Sequence, residues 1–173
     1  WSGRLRAARS GAAQRRVRFH MKNLRQLVRS DCNEVLRINV GRLPGVAPLD
    51  EPEFDRLLEM PNSHLVTEEG LARLKGYALA FPSSAPYDGE EFSEFINSGI
   101  SPFMYIDQVA SDAAHRRQGI ASALYRELEI KARQLSFSSL CCEVNLEPPN
   151  PGSIAFHQDR GFGRTRVLQT KDG

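Results

Sequence analysis

The chain has 173 residues, enough for one domain of ordinary size, and 40% of them are hydrophobic, which supports a packed core and excludes a disordered chain. A formal net charge of +2 gives no overall reason to expect nucleic acid or an anionic membrane as partner. No stretch approaches the roughly 20 apolar residues of a membrane-spanning helix.

The charge is unevenly placed. Residues 1–20 hold Arg4, Arg6, Arg9, Arg15, Arg16 and Arg18 and no acid, and they lack the apolar run of a secretory signal. Met21 stands where the globular pattern starts. Residues 1–20 are therefore expected to be a leader outside the fold and residues 21–173 the domain; a targeting or nucleic-acid-binding arm is the alternative. Cys32, Cys141 and Cys142 form no C-x-x-C pair, so neither a zinc nor a redox motif is expected and no metal is assigned. An odd number of free thiols suits a reducing, cytoplasmic setting. Adjacent Cys141 and Cys142 should point to opposite faces of a strand.

In chain order, Lys22–Val28 reads as a weak first strand. Ser30 is a plausible N-cap for a helix whose apolar face is Val35, Leu36, Ile38 and Val40, ended by Gly41 and Pro44. Asp50 caps a second helix with Pro52 in its first turn and Phe54, Leu57 and Leu58 facing the core. Ser63–Thr67 and Leu71–Phe81 form a hairpin around Glu68-Glu69-Gly70. Residues 82–102, with three prolines and two glycines, read mainly as loop, with a helical turn over Glu90–Asn97. Phe103–Ala110 is a strongly apolar strand. Arg116–Leu135 is the best helix, with Ile120, Ala123, Leu124, Leu128 and Leu135 at helical spacing and Glu127–Lys131 and Glu129–Arg133 as outer i,i+4 pairs. Ser139–Asn145 is a strand, Asn150 and Pro151 open a further helix ended by Gly161, and Phe162–Thr170 is the last strand. The strand-helix-strand unit over 103–145 predicts a right-handed parallel crossover. With the hairpin it gives an α/β (α+β) domain: a mixed, mostly antiparallel sheet around a central parallel β-α-β unit, with flanking helices.

The most informative stretch is Val109-Ala110-Ser111-Asp112-Ala113-Ala114-His115-Arg116-Arg117-Gln118-Gly119-Ile120-Ala121-Ser122. A strand runs through a short loop into a helix whose first amides have no internal partner, and the helix dipole adds partial positive charge there. Gly119 and Ala121 let an anion approach the backbone, and Arg116 and Arg117 add charge. Arginines at a helix N-terminus oppose the dipole, so the arrangement is locally unfavourable without a bound anion. The loop thus predicts a phosphate or pyrophosphate site. It lacks a Walker lysine and the three glycines of a dinucleotide fingerprint.

The spacing Arg116-x-x-Gly119-x-Ala121 resembles the R/Q-x-x-G-x-G/A signature of the GNAT acetyltransferases. Cys142-Glu143-Val144-Asn145, followed by Pro148-Pro149-Asn150-Pro151, Ser153, Ala155-Phe156-His157 and Gly161-Phe162, resembles the family's other long motif, in a pattern found in an uncharacterised bacterial subgroup. The resemblance covers roughly residues 22–170. It implies that two central parallel strands splay apart at a bulge and that acetyl-coenzyme A lies in the opening. Val109, Ala110 and Ser111 would then offer backbone to the pantetheine. Arg116, Arg117, Gln118, Gly119, Ile120, Ala121 and Ser122 would cradle the pyrophosphate, and Asn150, Ser153 and Phe156 would lie along the arm. Ser111, Ala113 and Ala121 depart from the family's usual apolar residue, proline and glycine. Members normally continue into one more strand past the segment 167–173, so a truncated chain or a strand from a partner is expected.

The implied reaction is N-acetyl transfer from acetyl-coenzyme A to a primary amine, of a small molecule or of a protein N-terminus or lysine, by direct attack in a ternary complex. At neutral pH fewer than about one in a thousand lysine-like amines is unprotonated, so a carboxylate base is useful. Asp107 and Glu143, on the two central strands, are the candidates. His157 stands where the family usually has a tyrosine acid, and an imidazolium can donate a proton. Asp88, Glu90, Glu91 and Glu94 form an acidic run that could attract a cationic amine. The competing reading is a catalytically silent, coenzyme-binding regulator. Neither nucleic acid nor membrane is expected as partner, and homodimers are common among such proteins.

Overall fold

The computed structural model describes residues 3–10, 24–68, 73–100 and 102–169. Its elements are β1 (Gly3–Ser10), β2 (Leu24–Gln26), α1 (Cys32–Val40), α2 (Glu51–Glu59), β3 (Leu65–Glu68), β4 (Leu74–Pro82), α3 (Glu90–Asn97), β5 (Phe103–Ser111), α4 (Ile120–Gln134), β6 (Ser139–Asn145), α5 (Pro151–Asp159) and β7 (Gly163–Gln169). Among the described residues the strands form one sheet in the order β2-β3-β4-β5-β6-β1-β7. Among the described residues only β5 and β6 run parallel, joined by α4. No helix among the described residues is long and apolar enough to cross a membrane.

Helices cover both faces of the sheet. On one, Val35 and Ile38 of α1, Phe54 and Leu57 of α2, and Phe92 and Phe95 of α3 pack against Tyr77, Leu79, Phe81, Phe103 and Tyr105. On the other, Ile120, Leu124 and Leu128 of α4 pack against Ala78, Ala80, Met104 and Ile106. The period-2 pleat divides the adjacent cysteines as expected: Cys141 joins the first cluster and Cys142 the second.

Two caps act through their side chains as the sequence indicates. Asp50 accepts from the Glu53 N–H at 2.9 Å, and Asn150 accepts from the Ser153 N–H at 3.1 Å. Three expectations change. Ser30 does not cap α1, because residues 29–31 form a 3-10 turn. The helix starts after Asp31, whose carboxylate is taken by Arg25 and the Val28 N–H instead. The long helix begins at Ile120 rather than Arg116, because Arg117 and Gly119 have positive φ, which a right-handed helix cannot include. Of its two expected ion pairs, Glu129–Arg133 is present at 3.6 Å, while Lys131 donates to Gln26.

The third change concerns the leader. The sequence reading sets residues 1–20 outside the fold, yet Gly3–Ser10 is a strand inserted between β6 and β7 and antiparallel to both. Among the described residues it pairs with β6 on one side and β7 on the other, and β7 forms the edge of the sheet. An arginine-rich segment shows no apolar alternation, so only the demand of two neighbours for backbone partners reveals it. Residues 11–23, His20 among them, and the expected turn at residues 69 and 70 lie outside the described residues.

Candidate active site

The site is set by where the parallel pairing stops. Phe103 to Ile106 face Ser139 to Cys142 in register, and the pairing ends at Ile106–Cys142 although β5 continues to Ser111 and β6 to Asn145. Beyond that point β5 keeps β4 as neighbour and β6 keeps β1. The two strands part, leaving a wedge lined by backbone. The cause lies in the β4–β5 register. Leu79 faces Gln108 but Ala80 faces Ile106, so Asp107 is the extra residue of a bulge. The bulge also reverses the pleat. Phe103 and Tyr105 lie on the α1 face, then Gln108 and Ala110 do, while Val109 packs with the α4 side. Val109, Ala110 and Ser111 thus follow the bulge at the open end of the wedge.

The loop from β5 to α4 is held from below. The Asp112 carboxylate, almost fully buried, accepts from the Ala114 N–H at 2.8 Å and pairs with Arg37 of α1, while its own N–H donates to Lys75 O. Those partners hold its carboxyl below the usual range, the Ala114 amide most of all. His115 is buried beside it, Nδ1 standing 3.8 Å from Asp112 Oδ1. Arg116, Arg117, Gln118 and Gly119 are exposed. No side chain caps α4, which leaves the amides from Ile120 to Ser122 for an external acceptor. A Cβ on Gly119 would meet nothing within 4 Å, so the space beside this backbone is open. Gly76 was not singled out by sequence reasoning. A Cβ there would lie 2.6 Å from Ala110 O and 2.7 Å from Ile120 Cγ2, so glycine is what lets β4 seat both the end of β5 and the start of α4.

On α5, Ser153 and His157 form one turn. His157 Nδ1 lies 2.7 Å from Ser153 O, and because a carbonyl only accepts, Nδ1 carries the proton. Nε2 then accepts from the Tyr125 hydroxyl at 2.6 Å. His157 is buried among Tyr125, Phe156 and Phe162, and burial lowers its pKa. Phe156 packs edge-on against Tyr125, with the Arg160 guanidinium 4.6 Å from its ring centre. Tyr125 is the partner the sequence analysis missed; its place on the apolar stripe of α4 reads as core.

The candidate bases lie on the α1 face. Asp107 accepts from the Tyr87 hydroxyl at 2.8 Å. Tyr87 stacks on Phe81 at 4.5 Å and lies 6.0 Å from Tyr105. Burial, then the Asp107 carboxylate, push the Tyr87 phenol up; burial, then Glu143 and Asp107, do the same at Tyr105. The fields of Asp107 and Glu143 thus both reach Tyr105, and Asp107 stands at the bulge where the wedge opens. Of the acidic run, Asp88 pairs with Arg56 at 3.1 Å, and Glu91 adds its field to Tyr87 and Tyr105.

Residues 33–162 match the family model described as the acetyltransferase (GNAT) family. The chain belongs to this family. The family is one of acetyltransferases. An aminoglycoside N(6')-acetyltransferase type 1 of Acinetobacter haemolyticus is 32% identical over 76 residues, 43% of this chain, and the match spans about half (51%) of that relative. The crystal structure of an aminoglycoside antibiotic 6'-N-acetyltransferase from Acinetobacter baumannii aligns with a TM-score of 0.66 at 21% identity, over 87% of this chain and 97% of that one. The ribosomal-protein-S18-alanine N-acetyltransferase of Escherichia coli aligns with a TM-score of 0.66 at 17% identity, over 87% and 85%. At these identities the two structures show the GNAT fold.

Proposed function

We propose that this GNAT protein transfers an acetyl group from acetyl-coenzyme A to a primary amine by direct attack in a ternary complex. The observation that carries the reading is the wedge beyond Ile106 and Cys142, which opens next to the uncapped start of α4. When bound, acetyl-coenzyme A supplies an acetyl thioester. The amides of Gly119 to Ser122 with Arg116, Arg117 and Gln118 would hold its pyrophosphate. The backbone of Val109, Ala110 and Ser111 on one side, and Asn150, Ser153 and Phe156 on the other, would hold its arm. Asp107, with Glu143 nearby, would take the proton of the attacking amine as the new N–C bond forms and the C–S bond breaks. The acids and phenols at the bulge favour a cationic acceptor, and the relatives are named for acetylating an aminoglycoside and an alanine of a ribosomal protein. The departing thiolate takes up one proton; from the Tyr125–His157 pair it would come off the Tyr125 hydroxyl, which regains one from solvent.

Thermal unfolding with acetyl-coenzyme A tests the cofactor site. At about 100 times its Kd the ligand stabilises by roughly 2.7 kcal/mol. Gly119→Glu should abolish that gain by filling the open space beside the loop with bulk and negative charge. Thiol release with a panel of amines then tests transfer. A folded wild type with no shift at millimolar ligand overturns the reading, and a shift without thiol release for any amine leaves a coenzyme-binding regulator.

A further inference from the structure

The segment between α1 and α2, residues 41–50, crosses the mouth of the wedge. Its Ala47 carbonyl accepts from Gln108 Nε2 at 3.2 Å and from Asn39 Nδ2 at 3.0 Å. Its Pro44 carbonyl accepts from Asn145 Nδ2 at 3.2 Å. Gln108 belongs to β5 beyond its last pairing with β6, and Asn145 to β6 beyond its last pairing with β5. One loop is therefore bonded to both splayed strands past the point where they stop bonding each other.

The two attachments differ in kind. On the β5 side the loop is fastened by a buried network: Asn39 Nδ2 donates to Gln108 Oε1 at 3.0 Å and lies 3.0 Å from Tyr77 Oη, the Tyr77 hydroxyl donates to Gln108 Oε1 at 2.9 Å, and the Leu49 N–H donates to Asn39 Oδ1 at 3.1 Å. On the β6 side it is fastened by the exposed Asn145 bond. An exposed hydrogen bond opens readily, whereas a buried, mutually satisfied set does not. Pro44 and Ala47 are three residues apart, so their carbonyls span at most about 10 Å. One short segment thus ties the two strands to each other through an amide side chain reaching in from each.

We propose that residues 41–50 are a strap that fixes the width of the coenzyme cleft and roofs it on the side of Asp107 and Tyr87, with Asn145 as its releasable latch and Asn39 and Gln108 as its hinge. The proposal rests on the acetyltransferase reading of the wedge. Gly45 brings the strap to the far side of the cleft, where a Cβ on it would stand 3.9 Å from Asn150 Nδ2, at the cap of α5. With the latch closed, a chain lying in the wedge is covered on the α1 face. With it open, the strap swings on its buried end and the cleft is free for exchange.

The test is the dissociation rate of coenzyme A, by stopped-flow displacement of a fluorescent coenzyme A derivative from wild type, Asn145→Ala and Asn145→Gln. Loss of one exposed latch bond should speed dissociation roughly three- to tenfold in Asn145→Ala. The glutamine variant, which keeps the amide, should recover part of it, and the thermal midpoints without ligand should lie within a few degrees of one another. Equal rates in all three proteins overturn the strap. A lower midpoint with unchanged dissociation also overturns it, making Asn145 merely structural. A wild type that binds no coenzyme A removes the underlying reading itself, an outcome distinct from both.

Discussion

The Tyr125 hydroxyl donates to His157 Nε2 across 2.6 Å, while His157 Nδ1–H donates to Ser153 O. The imidazole is thereby fixed as one neutral tautomer, with both nitrogens engaged. A free imidazolium acid, which the sequence suggested at this position, is disfavoured by burial and by the Tyr125 donor alike. Nitrogen NMR near pH 7 should find the proton of His157 on Nδ1. Tyr125→Phe keeps the ring packing but leaves a buried acceptor unsatisfied, and should lower unfolding free energy by about 1–3 kcal/mol. If the pair serves the leaving sulfur, the same variant lowers kcat and alters its pH profile while leaving the coenzyme Kd within about twofold; an unaltered profile would assign the pair to packing.

Asp107→Asn preserves the bulge and the Tyr87 contact but removes the base. We expect kcat/KM for the amine to fall by roughly 10²- to 10⁴-fold at pH 7, with most of the loss recovered at alkaline pH, where the free amine needs no base. Coenzyme affinity, read by calorimetry, should stay the same. No loss at pH 7 would point to Glu143 or to no base at all, and a loss equal at all pH values to a positioning role for Asp107.

Gly76→Ala places a methyl carbon against Ala110 O and Ile120 Cγ2 at distances that real Cβ atoms do not show. Because the first of these is backbone, the strand end must move. A destabilisation of about 1–3 kcal/mol should appear in urea unfolding. Coenzyme affinity should fall with it, since the displaced atoms belong to the cleft wall and to the first residue of α4.

Acid should weaken the fold through histidines. His64 is buried, accepts from the Ala80 N–H at Nδ1 and donates to Leu57 O from Nε2, and burial lowers its pKa to about 4. The unfolded chain takes up this proton near pH 6.5, before the folded one does, so stability is intact above that value and is lost progressively as pH falls from about 6.5 to 4. The full effect of His64 is on the order of 3 kcal/mol, and His157, shifted the same way, adds to it. Urea midpoints measured across this range should drop, and His64→Gln should flatten the slope. A flat wild-type profile would contradict the neutral, buried state of both rings.

The helices, caps and central β-α-β unit were legible because each rests on local chemistry: Asp50 and Asn150 before prolines, the spacing of Ile120, Leu124 and Leu128, the apolar run of Phe103 to Ile106. The strand-loop-helix passage from β5 into α4 was legible in the same way, but not that Arg116 and Arg117 stand before the helix. What escaped depends on contacts distant in sequence. The bulge at Asp107 changes which face Gln108 and Val109 occupy, and no period shows it. Tyr125, Asn39 and Gln108 read as ordinary stripe or strand residues until a partner 32 to 69 positions away is known. Strand β1 was hidden because its arginines carry no alternation, and it meets β6 only after almost the whole chain has been laid down.

The early end of pairing between β5 and β6 also bears on motion. Paired amides exchange with solvent slowly, and those that face an open cleft are shielded by no neighbouring strand. Within residues 107–111 and 143–145, amides turned toward the wedge should therefore label with deuterium within seconds. The same strands' amides turned toward β4 or β1 should label far more slowly. A chain seated in the wedge becomes, for those groups, the missing strand. The slowing of their exchange would map which residues it touches, one amide at a time, without any turnover being observed.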